Sequence, residues 1–173
     1  MFKLQPGDTF LTPNSKWLQP IIIPVQKFWS KDNKAKYGHA GIITDTAGDT
    51  YEALWRVKSR NIWKEYAGKS VLIARHDDMT HNTANIALGR LKKEHDKDFY
   101  PIYRFCFFMF PPLAKIKSEK LVCSELCAKF LWLCGLIDYY HGCSPDDLHD
   151  IFKAHRKWKI IFEGKLPKRN GPH

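Results

Sequence analysis

Two β-rich runs, Gly-His-Ala-Gly-Ile-Ile-Thr (residues 38–44) and Thr-Tyr-Glu-Ala-Leu-Trp-Arg-Val (residues 50–57), decide how the first half of this chain folds. The turn residues Asp-Thr-Ala-Gly-Asp (45–49) join them. β-Branched and aromatic runs separated by such a turn predict a β-hairpin. If the hairpin turn is centred on residues 47–48, Glu52 lies opposite Ile43. If the turn is shifted, Glu52 lies opposite His39. Either register puts Glu52 on the same sheet face as His39, because faces repeat every second residue.

Further elements follow along the chain. Short strands are expected at residues 4–12 (after a turn), 70–75 and 158–162. Helices are expected from a cap at Thr80 or Asn82 to about His95, from a cap at Ser118 through Cys123 to Leu133, and from Ser144-Pro145-Asp146-Asp147 onward. Strands followed by helices predict the α+β class: a small antiparallel sheet packed against helices. At 173 residues the chain is expected to form one domain, residues 1–173, with a basic tail at about 164–173.

The composition, 44% apolar and 14% aromatic, is that of a folded protein. No uninterrupted apolar stretch reaches the roughly 18–20 residues needed to span a bilayer. The N-terminus lacks the apolar core and cleavage site of a secretory signal, which predicts a cytoplasmic protein.

The net charge of +10 is concentrated near the C-terminus. Residues 153–173 carry seven lysines and arginines against Glu163 alone. Such a surface can bind an anionic polymer or an anionic membrane surface, although a solvated face is the simpler interpretation. The sequence contains no recognised nucleic-acid motif.

Five cysteines with irregular spacing predict reduced thiols rather than a disulfide framework. A zinc site is an alternative, but its spacing matches no standard set of ligands, so no metal or other cofactor is expected. The residues considered for zinc are Cys123, Cys127, Cys134, His141 and Cys143.

Cys123, in Leu-Val-Cys-Ser-Glu-Leu-Cys (121–127), begins a helical pattern. A thiol in the first turn of a helix is activated by the helix dipole and by unpaired N–H groups. With His39 as base and Glu52 as the carboxylate that orients the imidazole, Cys123 completes the parts of an activated nucleophile. A buried structural cysteine is the alternative, since free cysteines are commonly core residues.

The surroundings of these residues resemble the NlpC/P60 superfamily of papain-like cysteine hydrolases. The order histidine, polar residue, cysteine is similar to its circularly permuted branch, which includes the YiiX/YebB-like and lecithin:retinol acyltransferase-like groups. The resemblance covers about residues 5–162. The motifs that carry it are Gly7-Asp8-Thr9-Phe10-Leu11, Gly38-His39-Ala40-Gly41-Ile42, Tyr51-Glu52-Ala53, Val71-Leu72-Ile73-Ala74-Arg75, Cys123-Ser124-Glu125-Leu126 and Ser144-Pro145-Asp146-Asp147-Leu148.

The resemblance implies a permuted papain-like fold, with Cys123 as nucleophile, His39 as general base and Glu52 as the polar orienting residue. The turn that precedes Glu52 is about one residue longer than is usual in the family. The family's glycine and Tyr-Asp before the cysteine are only partly present, because residues 97–101 keep Tyr100 without the glycine or the following acid. Tyr100 and Tyr37, the latter beside the base, are candidate substrate-binding residues.

The expected reaction is cleavage of an amide bond, in a peptide or an isopeptide-type conjugate, through an acyl-thioester on Cys123. A lipid acyl hydrolase, acyltransferase or thioesterase is one alternative, and the aromatic run at residues 105–110 could then line an acyl pocket. The other alternative is a non-catalytic module that binds lipid or polyanions. The sequence leaves the substrate and the oligomeric state open.

Overall fold

The computed structural model describes residues 2–13, 36–53, 57–96 and 122–168. The strands in these ranges are β1 (Thr9–Thr12), β2 (His39–Ile43), β3 (Asp49–Ala53), β4 (Val57–Asn61), β5 (Ser70–His76) and β6 (Trp158–Lys165). The helices are α1 (Ile62–Glu65), α2 (His81–His95), α3 (Cys123–Leu133) and α4 (Pro145–Ala154). The predicted α+β class is confirmed.

The strands form one six-stranded sheet in the order β4-β3-β2-β1-β5-β6. Every pairing is antiparallel. Leu11 of β1 packs in the cluster that includes α2, α3 and α4, whereas its neighbour Phe10 packs with residues of α1 and with Tyr66. Successive side chains of a strand point to opposite faces, so the sheet is covered on both sides and its central strands are buried.

The predicted hairpin is confirmed, and its register lies between the two expected arrangements. Ile42 pairs with Tyr51 and Ile43 with Thr50, which places Glu52 opposite Gly41. Gly41 is two residues from His39, so Glu52 and His39 share a sheet face as expected. A separate strand, β4, and the short helix α1 follow the hairpin, where the sequence had suggested only a continuous run to Val57.

The helix ends mostly follow the predicted signals. Thr80 caps α2, with its Oγ1 accepting from the Thr83 N–H at 3.1 Å. Ser144 caps α4 in a reciprocal arrangement with Asp147. α3 ends before Gly135. The φ of this glycine is 72°, in the left-handed region in which many helices terminate. The start of α3 differs from the prediction, since the N-cap is the extended residue Val122 and not Ser118.

A partly buried ion pair joins Asp8, the residue before β1, to β5. Arg75 donates from Nε and Nη2 to the two carboxylate oxygens of Asp8, at 2.7 and 2.8 Å. Asp8 is 1% exposed, and such a bidentate pair satisfies both of its oxygens. Two of the motifs noted in the sequence are therefore joined by this contact.

Gly164 and Lys165, at the start of the predicted basic tail, are the last residues of β6. The next residue, Leu166, is 1% exposed and packs into the Phe10 side of the core. The beginning of that segment therefore belongs to the folded sheet. Within the described ranges, no helix has the length and apolar character needed to cross a membrane.

Candidate active site

The packing of α3 along β2 brings Cys123 to His39. One turn into the helix, the Cys127 thiol donates to the Gly41 carbonyl at an Sγ–O distance of 3.7 Å. Four helical residues span about 6 Å, and two strand residues span about 7 Å. The first residue of α3 therefore lies beside the first residue of β2, where the charges of the Cys123 sulfur and the His39 ring act on each other.

Backbone N–H groups also stabilise negative charge on this sulfur. The pairing of β2 with β3 runs over Ile42 and Ile43, so Ala40 lies beyond the paired residues. The N–H groups of Ala40 and of Ser124, in the first turn of α3, lower the pKa of the Cys123 thiol. Donors of this kind stabilise an anion in place, as does the positive end of a helix dipole.

The electrostatics of the pair favour a thiolate beside an imidazolium. Burial lowers the pKa of His39, but the Cys123 thiolate and the hydrogen bond and charge of Glu52 outweigh burial and raise the His39 pKa to about 10. Burial raises the pKa of Cys123, but the His39 imidazolium and the N–H groups of Ala40 and Ser124 bring that pKa below its ordinary value. The contacts that lower the Cys123 pKa therefore favour the thiolate, which is the form in which a cysteine acts as a nucleophile.

Glu52 is the third member of the site and is 0% exposed. Its Oε2 lies 2.8 Å from His39 Nε2 and accepts from the Tyr66 hydroxyl at 2.5 Å. Its Oε1 accepts from Thr50 Oγ1 at 2.5 Å. Burial raises the pKa of this carboxyl, but the three donors outweigh burial and lower it. Since Nε2 is engaged by Glu52, Nδ1 is the ring nitrogen that faces Cys123.

Gly41 leaves the space in which Glu52 reaches His39. A Cβ at this position would lie 2.4 Å from the Phe10 ring and 2.9 Å from Glu52 Cγ. Both distances are shorter than a real Cβ contact allows. A side chain here would therefore displace either the ring or the carboxylate.

Glu125 fixes the start of α3. It is 0% exposed, and its Oε2 accepts from the Val122 N–H at 3.3 Å. Its Oε1 accepts from the Gly142 N–H at 2.8 Å, which ties the helix start to the turn before α4. The position three residues after an N-cap is the usual one for such a glutamate, so sequence reasoning could have identified it. Thr50 and Tyr66 carry no comparable signal.

The other described cysteines are free thiols of a different character. Burial and the nearby Cys123 charge raise the pKa of Cys127, and burial, with Asp147 next, raises that of Cys143. Burial raises the pKa of the half-buried Cys134 to about 12. Cys123 is therefore distinguished by its partners and not by its residue type.

The structure places Tyr37 in the core at 2% exposure, with its hydroxyl 3.3 Å from Glu163 Oε1 and its ring against His149. Its role in substrate binding stays a prediction. Tyr100 and the aromatic run at residues 105–110 lie outside the described residues.

The side chains that could bind a metal ion are dispersed in the described residues. In the part of the chain that the structure describes, no three His, Cys, Asp or Glu side chains are grouped so that they could hold a metal ion. The alternative zinc set of Cys123, Cys127, Cys134, His141 and Cys143 thus does not converge.

Comparison with known proteins gives a fold relationship. No family model matches the chain, and no curated protein matches its sequence. Among solved structures, the chain is similar to one described as the metalloprotein YiiX from Escherichia coli O157:H7, with a TM-score of 0.58 and 14% identity. The match covers 97% of this chain and 91% of that one. The chain therefore has a YiiX-like fold.

Proposed function

We propose that the protein is a cysteine hydrolase of the circularly permuted papain-like, NlpC/P60 type, which cleaves an amide bond through an acyl-thioester on Cys123. One observation carries the proposal: Cys123 lies beside His39, whose Nε2 is 2.8 Å from the fully buried Glu52, and the His39 charge lowers the pKa of the Cys123 thiol. The order of these residues in the sequence and the YiiX-like fold support the permuted assignment.

The mechanism follows from the placement of charges and donors. The Cys123 thiolate attacks the carbonyl carbon, and N–H groups at the start of α3 stabilise the oxyanion. His39 gives its Nδ1 proton to the leaving amine, the C–N bond breaks, and the acyl group stays on sulfur as a thioester. Water then gives a proton to His39 and attacks the thioester. The acid leaves, and Cys123 and His39 return to their charged state.

The imidazolium supports an amide as substrate. An amine cannot leave without a proton, and the Glu52 carboxylate keeps that proton on His39 until the tetrahedral intermediate forms. Esters and thioesters fit the same geometry, since their leaving groups need less assistance. Lipid acyl transfer is thus one alternative function, and a non-catalytic binding module is the other.

Cytoplasmic location and binding of anionic surfaces are parts of the same proposal. The free thiols of the described cysteines suit a reducing compartment. The predicted basic segment supports electrostatic attraction to anionic polymers or membranes.

Selective alkylation tests the nucleophile. Iodoacetamide near neutral pH, followed by peptide mapping, should modify Cys123 much faster than Cys134, although Cys134 is the more exposed thiol. Equal, slow modification of the two peptides would contradict the proposal and favour the binding module.

Matched substrates test the bond type. The same acyl group is presented as an anilide, an ester and a thioester, and the intact mass of the protein is followed for an adduct. The proposal requires a Cys123 adduct and turnover with the anilide. Turnover restricted to the ester or thioester, or an acyl lipid that copurifies with the protein, would assign the lipid alternative.

A further inference from the structure

We propose that Tyr66 is a positioning residue: its hydroxyl holds the Glu52 carboxylate in the orientation that aligns His39 for proton transfer. The inference rests on the proposed function and extends it to a residue outside every motif of the sequence. Tyr66 directly follows α1, so the support reaches the site from the sheet face opposite α3.

The first reason is the torsional freedom of a glutamate. The last torsion of a Glu side chain has a broad energy minimum, so rotamer preference alone does not fix the plane of the carboxylate. In this site Tyr66 and His39 share Oε2, and Thr50 holds Oε1. Rotation of the carboxylate would break these bonds inside a buried site, where an unpaired oxygen is costly.

The second reason is that Tyr66 is itself rigid. It is 7% exposed, its ring packs edge-on against Phe10 at 5.1 Å, and it lies nearly parallel to the His39 ring at 6.3 Å. Its N–H donates to the Ile62 carbonyl at 3.0 Å. A tyrosine side chain has only two main torsions, so a packed ring delivers its hydroxyl to a defined point.

The third reason is that the hydroxyl stays a donor. Burial, together with the Glu52 charge, raises the pKa of Tyr66 above its ordinary value. The proton therefore remains on the phenol throughout the neutral range, and Glu52 keeps the same partner during the reaction.

Deacylation is the step that depends most on this alignment. Water transfers one proton to His39 Nδ1, its oxygen bonds to the thioester carbon, the C–S bond breaks, and sulfur leaves as the thiolate. The carboxylate orients the ring through Nε2, and so sets the direction of Nδ1. Acylation by an activated ester needs no proton transfer to the leaving group and is less sensitive. The imidazolium that it leaves then loses its Nδ1 proton to solvent, and neutral His39 is the base for deacylation.

Para-nitrophenyl acetate separates the two steps, since acylation gives a burst of nitrophenolate and deacylation sets the steady rate. Tyr66→Phe should keep the burst and slow deacylation about tenfold, as part of the contribution of a positioned base. Thr50→Val, which removes the other hydroxyl, should act in the same direction and serves if Tyr66→Phe does not fold. Tyr51→Phe is the matched control, because Tyr51 of β3 is also a buried tyrosine but packs on the sheet face that α2, α3 and α4 cover.

A proton resonance of His39 Nε2–H, assigned by its loss in His39→Gln, gives a readout that needs no substrate. Tyr66→Phe should shift this resonance, and Tyr51→Phe should not. If Tyr66→Phe leaves the deacylation rate and the resonance unchanged, or if Tyr51→Phe changes both as much, the positioning role is wrong. If the wild type shows no burst, the proposed function fails, and the resonance alone decides the role of Tyr66.

Discussion

The two ends of α3 carry thiols with opposite properties. Cys123, at the N-terminal end, is buried and has a lowered pKa, whereas Cys134, just past the C-terminal end, is half-buried and has a pKa of about 12. Exposure would predict the reverse order of reactivity. The difference shows that the charge of His39 and the surrounding N–H donors, which only the first end meets, determine the state of the sulfur.

Removal of the imidazole should nearly abolish the difference in reactivity between Cys123 and Cys134. In His39→Ala, burial continues to raise the pKa of Cys123 while the opposing positive charge is gone. The rate of Cys123 alkylation near neutral pH should fall about a hundredfold, while that of Cys134 stays the same. Peptide mapping after timed alkylation measures both. Retention of fast Cys123 alkylation would show that His39 is not the activating base.

The Glu52 charge lies further from the sulfur than the imidazole does. Its removal should therefore reduce the difference in reactivity between Cys123 and Cys134 by a smaller factor. Glu52→Gln keeps the size of the side chain but removes the charge that raises the His39 pKa. Cys123 alkylation should slow about fivefold to tenfold, as expected for loss of a charge-assisted hydrogen bond. Glu94→Gln is the control, since it removes an exposed charge that pairs with Lys129 of α3, distant from the helix start. Equal effects of both variants would indicate a general charge effect.

A pH titration should sharpen the comparison. The ultraviolet absorbance of thiolate, as a difference between wild type and Cys123→Ser, should appear at a midpoint below the ordinary pKa of a thiol. Acid protonates the sulfur, and base above about pH 10 removes the proton of His39. Acyl transfer should therefore decline on both sides of this window. A Cys123 midpoint at or above that of an ordinary thiol would contradict the charged pair.

A methyl group at Gly41 should change both stability and the site. Gly41→Ala places a Cβ against Phe10 and Glu52, which should cost about 1–3 kcal/mol of unfolding free energy. Cys123 alkylation should slow while Cys134 alkylation is unchanged. The matched control is Gly89→Ala in α2, where nothing lies within 4 Å of the new Cβ.

The control variant Gly89→Ala should itself change the free energy of unfolding, in the opposite direction. Alanine is favoured over glycine in a helix, so Gly89→Ala should stabilise the protein by about 1 kcal/mol and leave alkylation unchanged. Denaturant unfolding measures both variants. A Gly41→Ala protein as stable as wild type would show that Phe10 and Glu52 relax freely around the added methyl.

The sequence predicted the parts of the site that depend on local pattern. The shared face of His39 and Glu52 follows from the two-residue periodicity of a strand, whereas the helix that holds Cys123 has its N-cap at Val122 and not at the predicted Ser118. The pairing of Glu52 with Gly41 depends on the conformation of the turn, which a sequence with several possible closures does not determine. Tyr66 was missed because its contact with Glu52 arises only when α1 packs on the sheet.

Asp146 of α4 bears on how the protein is made. Its Oδ1 accepts from the N–H groups of Lys36 and Tyr37, just before His39. On a ribosome, His39 and Glu52 emerge first, Cys123 emerges later, and Asp146 emerges last. Since the partners that lower the pKa of the Cys123 thiol need the assembled sheet, we expect the nascent chain to carry a cysteine with an ordinary pKa. Reactive sulfur would then be confined to the finished molecule.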